Sequence, residues 1–277
     1  MKSEIVATNL CFAEGPRWHD GRLWFSDMHA HQVLALNADG TVESIVEVPN
    51  WPSGLGWLPT DDMLVVSMTD RQVLRWDGQC LTTHADLAEL ASYHCNDMVV
   101  DQQGRAYVGN FGFDLHAREQ PKTAELILID ADGSARVVAD ELRFPNGTVI
   151  TPDGESLIVA ESWGARLSVF DVGDDGSLGN RQVWAEMPSG TVPDGICLDE
   201  AGGIWVACPS TNECLRVEPG GNVTHRVATD QGAFACMLGG DLLHILTSST
   251  SDPEACQQQR SGRIEVVTAP YAGAGGP

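Results

Sequence analysis

The chain has 277 residues, sixteen basic against thirty-nine acidic, and a formal net charge of −23. That balance argues against nucleic acid or an anionic membrane as partner, because both attract lysine and arginine. It suits solubility and cation binding, and the length allows a single large all-β domain.

The N-terminal residues 1–8 lack the long apolar core of a signal peptide, and residues 4–9 read as one short strand. No apolar run approaches a membrane-spanning length. The eight cysteines show no Cys-x-x-Cys and no zinc-type spacing. Cys208 and Cys214 flank one turn and could pair in an oxidising compartment. Without an export signal, reduced thiols and a cytoplasmic location are the expectation.

From Glu14 onward one phrase recurs. Glu14-Gly15-Pro16-Arg17-Trp18 is followed by a turn and a second apolar segment. It returns at Ser53-Gly54, Asn96-Asp97, Asn146-Gly147, Asp194-Gly195 and, more weakly, Phe234-Ala235. The intervals run from 39 to 50 residues, the period of a β-propeller blade. Between the copies, β-branched and aromatic runs are separated by Asp-Gly and Gly-Gly turns, as in short antiparallel strands.

The expected fold is therefore an all-β, six-bladed β-propeller with four-stranded antiparallel blades, one domain over residues 1–277. Blade 1 takes 12–19, 22–27, 32–37 and 42–47. Blade 2 takes 53–58, 63–68, 72–77 and 80–85, and blade 3 takes 96–101, 105–110, 125–130 and 134–139. Blade 4 takes 146–151, 156–161, 166–171 and 181–185. Blade 5 takes 194–199, 204–207, 214–218 and 223–228. Blade 6 has only 234–238, 242–247 and 263–268, and strand 4–9 supplies its missing outer strand, which closes the ring. Residues 270–277 read as a flexible tail.

In this arrangement the aligned residues Glu14, Ser53, Asn96, Asn146, Asp194 and Phe234 circle the mouth of the central channel. Glu14, Asn96, Asn146 and Asp194 offer two carboxylates and two amide oxygens, hard donors that suit one divalent cation. Calcium is the expectation, with magnesium, manganese and zinc the alternatives. Two buried carboxylates side by side are costly without a cation. The competing account is that these side chains only hydrogen-bond backbone at the tunnel mouth. Two 14-residue loops, 111–124 and 248–261, fall on the same face and read as lids or binding loops.

The chain resembles the gluconolactonase and senescence marker protein (regucalcin) family, cousins of diisopropyl fluorophosphatase. The resemblance covers nearly the whole chain. It rests on Glu14-Gly15-Pro16-x-Trp18, Asn96-Asp97 with Asp101-x-x-Gly104-Arg105, Pro145-Asn146-Gly147, Pro193-Asp194-Gly195-Ile196-Cys197 and Leu238-Gly239-Gly240. It implies a six-bladed propeller with one catalytic divalent cation on its axis. Glu14, Asn146 and Asp194 would be direct ligands, and Asn96 a fourth ligand or a substrate contact. It implies a small-molecule lactone substrate, opened by water with the metal as Lewis acid and Asp194 as general base.

Vertebrate-like members carry an arginine two residues before the aligned Asn, where this chain has His94. Strand alternation puts His94 and Asn96 on one face. His94 then orients substrate, shuttles protons near an ordinary histidine pKa, or is a satisfied rim residue. His29, Asn110 and Trp163 are further candidates for substrate contact; turn-capping is the commoner job of a residue such as Asn110. Two other functions remain open on this site. One is related metal chemistry: phosphotriester hydrolysis, isomerisation or dehydration. The other is a non-catalytic, metal-stabilised binding module.

Overall fold

Short strands rich in Val, Leu and Ile end at glycine turns, and each such segment is too short to bury its faces alone. In the computed structural model, which describes residues 1–275, they assemble into six four-stranded antiparallel sheets arranged as blades. Blade 1 is Ala13–His19, Arg22–Asp27, Gln32–Leu36 and Val42–Glu47. The last blade orders Glu4–Leu10, Gly262–Thr268, Leu242–Ser248 and Gly232–Gly239 from outside to inside. Glu4 pairs with Val266 and Leu10 with Gly262, so the N-terminal strand closes the ring as the sequence implied. The protein is a six-bladed β-propeller.

The core lies between blades. Leu64, Val66 and Val73 of the second blade pack with Met98, Val100 and Val108 of the third, all nearly or fully buried. Trp205 is completely buried among Ala207, Cys214 and Cys236, between the fifth and sixth blades. Burying each such side chain contributes about 1.5–3 kcal/mol. All eight cysteines are free thiols, and Cys197 and Cys236 face each other at 3.9 Å across these blades.

A recurring defect shapes the channel mouth. The innermost strand of five blades slips register just past the aligned residue: between Glu14 and Arg17, Pro52 and Leu55, Cys95 and Met98, Pro145 and Thr148, and Ala233 and Ala235. Such a bulge kinks the strand and re-aims a side chain. A glycine often follows the aligned residue because neighbouring inner strands crowd there. Gly15 has φ +53°, and a Cβ on it would lie 2.5 Å from the Ser53 carbonyl oxygen. A Cβ on Gly147 would lie 2.4 Å from the Ile196 nitrogen. In the third blade Asp97 takes this place.

Two departures from the sequence expectation bear on the mouth. The inner strand of blade 5 is only Ile196–Leu198, so Asp194 precedes it. Pro193 has no N–H to give to a ladder. Asp194 is held instead by its own N–H on the Ala207 carbonyl, 2.9 Å, while Gly195 donates to Phe234 at 2.8 Å. The loop after Ser248 contains one helical segment, Pro253–Gln259, capped by Asp252, whose side chain accepts from the Ala255 N–H. Its Gln257 amide donates to the His29 carbonyl at 3.1 Å, tying the sixth blade to the first.

The C-terminal segment runs across the end of the channel opposite the mouth. Gly273 donates to Gly240, Ala274 donates to Leu198, and Tyr271 lies 4.6 Å from the Arg216 guanidinium. The last two residues of the expected tail, 276 and 277, lie outside the described residues.

Candidate active site

Bulges at Glu14, Asn96 and Asn146, and the turn that holds Asp194 ahead of Ile196, set four oxygen-bearing residues at equivalent places on the inner strands. Asn96 and Asn146 are buried, whereas Glu14 and Asp194 keep part of their surface open at the channel. The Asn96 amide Nδ2 donates to the Pro145 carbonyl at 3.3 Å. The Asn146 Nδ2 donates to Ser162 Oγ at 3.2 Å, and that hydroxyl donates on to the Pro193 carbonyl at 2.7 Å. Tying back each nitrogen leaves each amide Oδ1 as the free acceptor.

The electrostatics are unbalanced. Burial pushes the Glu14 carboxyl up from its ordinary pKa, and nearby Asp97 pushes it further; the Gly15 N–H and Arg17 oppose this. Asp194 is pushed up first by burial, then by Glu14 and Asp97, while hydrogen bonds from Asn146 and Gly195 pull it down. Two carboxyls both pushed up by burial and by neighbouring acids are short of positive charge. Among the described residues no three His, Cys, Asp or Glu side chains converge. The candidate set is thus two carboxylates completed by two amide oxygens. That all-oxygen set fits a hard divalent cation.

Beneath the ring lies a pair that sequence reasoning missed. Arg17 and Asp97 are both buried and form an ion pair at 3.1 Å. Arg17 also donates to the carbonyls of Pro16 and Met98. Simple alternation places Arg17 on the strand face opposite Glu14, and the bulge between them cancels that alternation. The available signal was Asp97 itself, standing where four of the other copies carry glycine.

The remaining sequence candidates divide. His29 is buried between Phe12, stacked at 5.2 Å, and Trp51, edge-on at 4.9 Å; burial pushes its pKa down to about 4, so it is neutral. His94 is half-buried at the rim and stacks on Tyr93 at 4.2 Å. Burial pushes it below the ordinary histidine value, against the expectation of an unshifted shuttle. Trp163 is 52 % exposed at the mouth, edge-on to Phe113 at 5.8 Å. Asn110 is fully buried. Its amide donates to the Glu125 carbonyl and carboxylate, at 3.1 and 3.0 Å, and its oxygen accepts the Gly112 N–H. These bonds occupy it in holding the start of the 111–124 loop, so it is a turn-capping residue rather than a substrate contact.

A cavity of about 440 Å³ opens elsewhere, at the far end of the channel, where Trp18, His19, Trp57 and Leu238 meet the C-terminal glycines. Inner-strand residues, Arg17, Thr148 and Ile196 among them, line it, and neither Glu14 nor Asp194 does. A hollow of about 320 Å³ on the mouth side borders Trp163, with Lys122 and Arg143 beside it.

Residues 12–251 match the model of the SMP-30/gluconolactonase/LRE-like region. The chain belongs to this family. Regucalcin of Gallus gallus is 26 % identical over 233 residues, 82 % of this chain and 75 % of the relative. The 6-deoxy-6-sulfogluconolactonase of Pseudomonas putida is 26 % identical over 264 residues, 92 % and 88 % of the two chains. Among solved structures, a regucalcin of Agrobacterium tumefaciens described as a calcium-binding protein superposes with a TM-score of 0.81 at 18 % identity, covering 99 % of this chain and 97 % of that one. A Xanthomonas campestris gluconolactonase superposes with a TM-score of 0.76 at 22 % identity, covering 96 % and 89 %. These two likenesses confirm the fold of the family.

Proposed function

We propose that the chain is a divalent-metal-dependent hydrolase that opens small lactones. The observation that carries this is the set itself: two carboxyls pushed up by burial and neighbouring acids, and two amides with their nitrogens tied back. Family membership and the sulfogluconolactonase relative support the same chemistry. Glu14, Asn146 and Asp194 would hold the cation, with Asn96 as fourth donor or as a contact to the substrate. A bound divalent cation supplies Lewis acidity toward a lactone carbonyl and offsets the charge that develops on its oxygen.

The chain's own residues do the rest. Asp194 accepts the proton of the attacking water through its second carboxylate oxygen. Asn146 is kept in place by the Ser162 hydroxyl, and Asn96 by the Pro145 carbonyl. Neutral His29 adds no positive charge at the mouth, and burial biases His94 toward its neutral form. Opening the ring yields a hydroxy acid, so turnover releases a proton.

A pH-stat assay on a lactone panel tests this directly, using protein loaded with calcium, magnesium, manganese or zinc. At least one lactone should be opened with at least one of these ions. Glu14→Gln and Asp194→Asn should each lower the rate by about a hundred-fold or more, as expected for groups that act on the transition state. Full activity in both variants would remove the site assignment. Product analysis by NMR separates lactone opening, which adds water, from an isomerisation, which does not.

A further inference from the structure

Aromatic rings touch one another in an unbroken series around the mouth. Phe234 occupies the sixth ring position and meets Phe12 edge-on at 4.8 Å. Phe12 stacks on His29, which meets Trp51. Trp51 then stands edge-on to His94 at 6.4 Å, and His94 is tilted against Phe111 at 6.3 Å. Phe111 stacks on Phe144 at 4.5 Å, Phe144 meets Phe113 at 5.8 Å, and Phe113 ends the series on Trp163. The arc thus starts beside the ring position of blade 6 and passes blades 1, 2 and 3 to reach blade 4.

The rings fall into two kinds. Phe12, His29, Phe111, Phe113 and Phe144 are buried and form a backing. Phe234, Trp51 and His94 are only partly buried, and Trp163 is more than half exposed. The backing fixes the orientation of the exposed rings at no further ordering cost, the arrangement of a preformed ligand wall. The exposed surface of the wall is mostly ring face, and Lys122 and Arg143 stand beside it only at its Trp163 end. The wall's polar atoms include the Nδ1 nitrogens of His29 and His94, both buried and without a protein partner. A polyhydroxylated ring pressed against these faces would give up water hydrogen bonds that the faces do not replace. An aryl or alkyl group would gain from the same burial.

We infer that the substrate's non-reacting part is an aryl or alkyl group lying on this arc, so the preferred substrates are aryl- or alkyl-bearing cyclic esters rather than sugar lactones. The inference rests on the lactone-opening reading of the oxygen ring. Trp51 and Trp163 are the specificity-determining residues.

The test compares kcat/KM for dihydrocoumarin, an aryl lactone, with that for δ-gluconolactone in metal-loaded protein. In parallel, dihydroquinolinone, the unreactive lactam of the first, is titrated by calorimetry. Dihydrocoumarin should be preferred by about ten-fold or more. Trp163→Ala and Trp51→Ala should each raise its KM about ten-fold, about 1.4 kcal/mol of binding, with kcat within about two-fold; this is the size expected for losing one aromatic contact face. Trp163 carries little of the core, so that variant reports even where Trp51→Ala folds poorly. Preference for δ-gluconolactone, or an unchanged KM in Trp163→Ala, overturns the inference while leaving the lactonase reading intact. If neither lactone is opened, the lactonase reading fails for these substrates and the lactam decides alone. Binding that Trp163→Ala weakens about ten-fold sustains the aryl-binding wall, and no binding overturns it.

Discussion

Each functional side chain at the mouth is only as useful as the groups that hold it. Ser162 bridges the Asn146 amide to the Pro193 carbonyl, one residue before Asp194. Ser162→Ala frees that amide to rotate. Outer-shell partners of metal ligands typically matter by 10–100-fold in affinity. Calcium affinity, read by titration calorimetry, should fall about ten-fold or more in this variant, and the melting temperature of the chelator-treated protein should move little. Arg17 is a different case. Arg17→Met would leave Asp97 buried without its cation. Breaking a buried pair from one side costs about 3–5 kcal/mol, so the urea midpoint should fall markedly, whether or not metal is present. An unchanged midpoint would mean that water reaches Asp97 beneath the ring.

At the scale of strands and loops, Glu161 is the anchor of the mouth on the fourth blade. It is fully buried at the end of Ser156–Glu161, just before Ser162 and Trp163. Burial alone would raise its pKa, but bonds from Arg166, Ser168, the Arg143 N–H and Arg181 bring it down to about 2. A depressed carboxyl stabilises the fold above its unfolded pKa, and that share is lost as pH falls through the folded value. Stability of the wild type should therefore drop between about pH 4.5 and pH 2. Glu161→Gln should lose most of that share already at pH 7, and its acid limb should be flatter. Parallel acid limbs in the two proteins would show that the carboxylate carries no such stabilisation.

The same scale explains what could be read from the chain. That Glu14, Asn96, Asn146 and Asp194 hold equivalent places on the inner strands was legible because a repeat puts equivalent residues at equivalent places, and these four share one position in the phrase. Arg17 was not, because a bulge reverses the alternation used to assign strand faces. Asn110 looked free as a strand-end residue; its partner Glu125 lies fifteen positions further on, across the loop. The aromatic arc has no period at all. Phe12, Trp51, Phe111 and Phe144 come from separate connections, and only the closure of the ring makes them neighbours. The closing strand was legible for a simpler reason: the sixth blade came up one strand short, and an unpaired strand stood at the N-terminus.

For the whole molecule, that strand is the clasp. Glu4–Leu10 is the outermost strand of the last blade, paired only with Gly262–Thr268. Removing residues 1–10 would expose the edge of Gly262–Thr268, an invitation to edge-to-edge association. Size-exclusion chromatography and thermal melting should show aggregation or a much lower transition; a monomer melting like the full chain would mean the ring holds without its clasp. Closure in turn sets the spacing of Glu14, on blade 1, from Asp194, on blade 5, so the cation and the fold should stabilise each other by mass action. The most direct measurement is a calcium titration of chelator-treated protein, followed in the same sample by the rate of lactone opening. One calcium ion should bind per chain, with activity rising in step with occupancy and both lost in Asp194→Asn. Lactone opening at full rate in the chelated protein, or calcium binding unchanged in Asp194→Asn, would contradict metal-dependent hydrolysis at this ring.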